Sequence, residues 1–136
     1  MQSRFRTESM FEATENPIHP ELVVSRMRGD SSGATVTFIG SLRGKSSDGG
    51  TVLHANCDLD RETAERQLRG IGEAIRARWG IEDVSICHRL GKIEVGETIA
   101  VVAVAAPHRQ EAFEACQHAI DRFKEFMPLR EVLEAK

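Results

Sequence analysis

From residue 60 to residue 79 the apolar positions Ala64, Leu68, Ile71, Ile75 and Trp79 recur every three or four residues, opposite a face carrying Glu65, Arg69, Glu73 and Arg76. That period predicts an amphipathic helix. Asp60 is placed to cap its N-terminus, Glu62 falls in its first turn and Gly80 supplies a stop. A second stripe, Ala112, Phe113, Cys116, Ala119, Ile120 and Phe123, predicts another long helix. Pro107 opens it, at a position where a missing N–H costs little, and Met127-Pro128 ends it. Elsewhere the pattern shortens to period two or becomes continuous. In 34–42, ATVTFIGSL, residues Thr35, Thr37 and Ile39 alternate with Val36 and Phe38, a strand signature. Residues 51–58 and 84–90 read as two more strands. Residues 98–106, TIAVVAVAA, are nearly all apolar and so predict a central strand covered on both faces. Between the last two, GKIEVGE reads as a short strand between two turns. Residues 21–28, closed by Gly29 and DSSG, read as a short helix, and the polar RGKSSDGG run at 43–50 reads as a mobile loop suited to a binding or lid element.

The order is a short helix, then β, β, α, β, β, α. Strands outnumber crossovers, so the economical architecture is α+β, a mostly antiparallel sheet with two long helices packed on it. At 136 residues without internal repeats, the chain is read as one domain over 21–136, preceded by a flexible lead-in or edge segment over 1–20.

Composition narrows the chemistry. With 40% hydrophobic and 29% charged residues the chain suits a globular protein and not a disordered one. A formal net charge of -3 provides no general attraction for nucleic acid or an anionic membrane, so any anion site must be local. The 3 cysteines, Cys57, Cys87 and Cys116, lie far apart and suggest neither a zinc site nor a disulfide framework. Together with the lack of a long apolar run, this predicts a cytoplasmic location with no membrane partner. Tyrosine is absent, and the basic residues divide into 14 Arg and 4 Lys (Lys45, Lys92, Lys124 and Lys136). Amines are therefore scarce.

No phosphate loop, dinucleotide fingerprint, HExxH or nucleophile elbow is present. What remains are cationic or proton-transferring groups at element ends. Arg43 follows the first strand and serves equally well as a solvated loop cation. His88-Arg89 lies in an apolar strand, where a hydrogen-bonded histidine and an ion-paired arginine explain the pair as readily as catalysis does. Adjacent residues on a strand face opposite ways, which argues against Cys87 and His88 forming a nucleophilic dyad. His108-Arg109 follows Pro107 at a helix start, where free N–H groups favour phosphate or carboxylate. Lys124 sits at the margin of an apolar stripe.

The order of these groups says more than any one of them. The blocks GATVTFIGSLRG at 33–44, HRLGKIEVGE at 88–97, APHRQEAFEAC at 106–116 and IDRFKEFMP at 120–128 resemble the large (catalytic) subunit of molybdopterin synthase, the MoaE family. The resemblance implies an α/β-hammerhead-like fold and a homodimer, each subunit of which binds a small ubiquitin-like sulfur carrier ending in Gly-Gly. It implies transfer of sulfur from the carrier's thiocarboxylate to cyclic pyranopterin monophosphate, forming the dithiolene of molybdopterin, with no metal or cofactor needed for the step. By the same resemblance Arg43, His108 and Arg109 would bind anions, and Lys124 would be the catalytic amine. Where the family reads Pro-Ile-Trp-Lys, this chain reads Pro128-Leu129-Arg130-Glu131. Glu131 thus replaces the second family lysine, and Arg130 becomes a candidate substitute cation. Three functions follow: sulfur transfer, a non-catalytic paralogue that keeps the dimer and the partner surface, or an unrelated enzyme reusing the pocket with Cys57 as nucleophile, which requires an exposed Cys57 of lowered pKa.

Overall fold

The computed structural model describes residues 9–27 and 32–135. In chain order the elements are β1 (Met10–Thr14), α1 (Pro20–Val24), β2 (Ala34–Ser41), β3 (Val52–Cys57), α2 (Arg61–Trp79), β4 (Asp83–Arg89), β5 (Gly91–Glu94), β6 (Thr98–Ala106), α3 (Arg109–Phe126) and β7 (Arg130–Leu133). Within the expected turn after the short helix, Gly29, Asp30 and Ser31 fall outside the described residues, as do Arg28, the first eight residues and Lys136.

The fold is α+β with antiparallel pairing dominant. The strands divide between two sheets, ordered β1-β4-β6-β2 and β5-β3-β7. Only β1 with β4 pairs in parallel among the described strands, which puts Met10–Thr14 at the edge of the larger sheet. The continuous apolar run of β6 has the predicted cause. Ala100, Val102, Val104 and Ala106 join the main core beneath α2 and α3, while Val101 and Ala103 pack on the opposite face with Val23 and Cys87. Phe11 of β1 fastens that strand to α2: a Cβ placed on Gly72 would lie 2.2 Å from its ring.

Helix signals were legible in detail at α2. Asp60 accepts from the Thr63 N–H at 3.0 Å. Gly80 takes a left-handed φ of 69°, and its N–H closes on the Arg76 carbonyl. At α3 two expectations change. The helix begins at Arg109, because His108 is still extended (φ -128°, ψ 146°), so Pro107 shapes the approach and not the first turn. Phe113 is 60% exposed, since the buried stripe runs through Ala112, Ala115, Cys116, Ala119 and Phe123, and Phe113 stands about 100° round the helix from Ala112.

The unanticipated strand β7 pairs with β3, setting Asn56 against Arg130 and Ala55 against Glu131. The 43–50 loop is tied internally. Ser46 N–H donates to the Gly50 carbonyl and Gly49 N–H to the Ser46 carbonyl, the Ser46 hydroxyl bonds the Asp48 carboxylate, and Lys45 bridges Thr51. It is a hydrogen-bonded turn between β2 and β3.

Candidate active site

The pairing of β2 with β6 slips at Gly40/Ser41, leaving Ile99 as an extra residue between partners Ala100 and Thr98. This bulge borders a cavity of about 440 Å³ between the larger sheet, the end of α3 and β7. Its apolar lining includes Phe38, Ile99, Phe123 and Leu129, and its charged groups are Arg43, Lys124 and Glu131. Arg43 arrives because β2 ends there: the Leu42 N–H is held by the Glu97 carbonyl, and Arg43 is the next residue. Lys124 arrives because Phe123, 4% exposed, roots the last turn of α3 in the core. Neither Arg43 nor Lys124 makes a hydrogen bond or ion pair among the described residues. Both cations stand available for an anion from outside.

His88 also lines the cavity, 1% exposed. Its Nδ1 lies 2.7 Å from the Arg89 carbonyl oxygen, and its ring meets Phe123 edge-on at 5.3 Å. Burial holds its pKa below the usual histidine value, so the ring is neutral at pH 7. Arg89 itself is structural. Its guanidinium is 3.1 Å from Glu97 and 2.8 Å from the Lys92 carbonyl, locking the β5–β6 turn onto the end of β4. The Glu94 N–H, followed by Arg89, holds the Glu97 carboxyl below its ordinary range.

His108 and Arg109 are exposed at the other end of α3 and do not line this cavity. Fifteen residues of helix separate Arg109 from Lys124, roughly 22 Å along the axis. Gly33 sets their turn: its N–H donates to the Ala106 carbonyl, and a Cβ on it would lie 2.4 Å from the Pro107 carbonyl oxygen. Arg130 lies outside the cavity too, paired with Asp58 at 3.1 Å, while its neighbour Glu131 faces in. That pairing depends on β7 lying beside β3, and no local signal announces it. Burial raises the pKa of all three thiols, to about 12 for Cys87 and about 11 for Cys116. Cys57 is thus no thiolate nucleophile. Among the described residues no cluster of His, Cys, Asp or Glu is gathered to hold a metal, and no helix is long and apolar enough to cross a membrane.

The family model described as MoaE protein matches residues 13–126. The chain belongs to the MoaE family. Its relative in Thermoplasma volcanium, named molybdopterin synthase catalytic subunit, is 37% identical over 125 residues, 90% of each chain. The crystal structure of molybdopterin synthase from Staphylococcus aureus superposes with a TM-score of 0.83 at 30% identity, covering 93% of both chains. A complex of subunits 1 and 2 of molybdopterin-converting factor from Helicobacter pylori shares the MoaE fold at TM-score 0.63 and 15% identity, covering 96% of this chain and 87% of that one. The family's matched span contains Arg43, His88, His108, Arg109 and Lys124 and stops short of Arg130 and Glu131.

Proposed function

We propose that this chain is the catalytic subunit of a molybdopterin synthase, moving sulfur from the thiocarboxylated tail of a small ubiquitin-like subunit onto cyclic pyranopterin monophosphate. The observation that carries the reading is the meeting of Arg43 and Lys124, 81 residues apart in sequence, at one cavity with no partner for either among the described residues. Substrate phosphate and thiocarboxylate are both anions. A guanidinium keeps its charge and offers a planar fork to oxyanions, which suits Arg43 to holding one of them. Among the described residues, Lys124 is the one amine lining the cavity. Its ammonium neutralises the tail and can give a proton to the oxygen that leaves the pterin side chain as sulfur adds. The apolar walls, Phe38, Ile99, Phe123 and Leu129, limit the approach of water to a bound thiocarboxylate.

His108 and Arg109 enter this reading only across a homodimer. Roughly 22 Å of helix keeps them from the cavity of their own chain, so a second copy must present its α3 N-terminus there for the pair to bind substrate phosphate. Glu131 favours a second reading, in which the chain binds the carrier without sulfur transfer, because a carboxylate now lines the cavity an anionic tail must enter. Mixing the purified subunit with the thiocarboxylated carrier and the pterin separates the two. Molybdopterin forms under the first reading, and a stable complex without product forms under the second.

A further inference from the structure

His88 is a polar group of the cavity that the proposed chemistry leaves unused, and it is the most deeply buried of them. The Arg89 carbonyl can only accept, so the 2.7 Å contact requires the proton on Nδ1 and leaves Nε2 with its lone pair. This tautomer is firmly set. The acceptor belongs to the backbone of a residue whose own guanidinium is bound to Glu97 and the Lys92 carbonyl, and the ring is wedged against Phe123. Nε2 makes no hydrogen bond among the described residues, although the side chain is 1% exposed and lines the cavity. The atom opens on the cavity, where water can donate to it, and a ligand N–H or O–H that reaches it takes the place of that water.

The same lone pair repels an ionised phosphate or thiocarboxylate, which offers only acceptors. The cavity is therefore divided chemically: cations Arg43 and Lys124 suit the anionic parts of the ligands, and His88 suits an uncharged N–H or O–H. We propose that His88 is a substrate-binding residue whose Nε2 accepts a hydrogen bond from an N–H or O–H group of the bound pterin, fixing how the heterocycle sits relative to Lys124. The inference rests on the functional reading above and deepens it.

Two variants separate this role from a structural one. His88→Asn keeps a donor at the Nδ1 position for the Arg89 carbonyl and loses the acceptor. His88→Gln carries its Oε1 as many bonds from Cβ as Nε2 and so keeps the acceptor. In the complex with the small subunit, calorimetric binding of cyclic pyranopterin monophosphate is expected to weaken about tenfold in the Asn variant, equivalent to about 1.4 kcal/mol. KM should rise in parallel, the Gln variant should stay within about threefold of wild type, and inorganic phosphate should bind all three alike. Equal pterin affinity in the Asn variant and wild type would overturn the proposal. So would the opposite order of the two variants, which marks a purely structural bond to Arg89. A wild-type complex that binds pterin without transferring sulfur overturns the functional reading and leaves the His88 comparison standing; one that binds no pterin overturns both.

Discussion

The Arg130 guanidinium lies on the Asp58 carboxylate, Nε 3.1 Å from Oδ2 and Nη2 3.4 Å from Oδ1. This contact takes the arginine at the family tryptophan position away from the cavity, and strand alternation turns Glu131 toward it. Both partners of the pair are about three-fifths exposed, so it contributes at most about 1 kcal/mol. Arg130→Ala should leave sulfur transfer within about twofold of wild type. Glu131→Lys should raise the tail's affinity about threefold to tenfold by replacing repulsion with attraction, read from the salt-dependent binding of the small subunit. A collapse of turnover in Arg130→Ala would return that residue to the catalytic set.

The separation of Arg109 from Lys124 along α3 yields a complementation test. Lys124→Ala and Arg109→Ala homodimers should each lose activity by about a hundredfold or more. Mixed dimers carrying one of each contain one intact site and should recover up to about a quarter of wild-type turnover in a random mixture. Inactive mixtures would show that both groups act within one chain, and an active Arg109→Ala homodimer would show that Arg109 does not act at all.

Gly72 and Phe11 are coupled through the docking of β1 on α2. A Cβ 2.2 Å from the ring forces the ring to move, so Gly72→Val should cost about 1–3 kcal/mol and lower Tm by several degrees. Phe11→Ala removes the obstacle at its own cost. The double variant should be more stable than the sum of the two single losses, in a thermal double-mutant cycle. Additive losses would mean that the two side chains do not meet.

Much of the scaffold was readable because its signals are local. The α2 stripe, its Asp60 cap and its Gly80 stop lie within twenty-odd residues, and the apolar run of β6 states its own burial. The strand β7 was not readable. Four residues of mixed charge have no strand character alone, and the partner β3 lies more than seventy residues back. Phe113 misled because hydrophobicity was counted without the exact helical phase. The site behaved similarly. Arg43 and Lys124 were each unremarkable by type and position, and only resemblance joined them before the fold did. Resemblance also grouped His108 and Arg109 with them, whereas one chain holds them apart. His88 was visible as a histidine in an apolar strand, but its tautomer depends on a backbone contact that sequence does not record.

Stability should respond to His88 in acid. Unfolded, the imidazole takes up a proton near its ordinary pKa of 6.5, while in the fold burial defers protonation to lower pH. Between those limits the unfolded chain binds more protons, so stability is complete above pH 6.5 and declines as pH falls through it. Denaturant midpoints measured from pH 8 to pH 5 should fall for wild type and flatten in His88→Gln. His118, whose pKa is also held down, first by desolvation and then by Arg78 and Arg122, contributes equally to both proteins and cancels in the difference. Parallel curves would contradict a buried neutral His88.

The central claim is that a cavity in which Lys124 is the one amine among the described residues still transfers sulfur with Glu131 in place of the second family lysine. The direct test is single-turnover conversion of cyclic pyranopterin monophosphate to molybdopterin by the wild-type chain with a stoichiometric thiocarboxylated small subunit, beside Lys124→Ala. The account predicts product from wild type and a loss of at least about a hundredfold in the variant. A wild-type complex that forms and yields no product would contradict it.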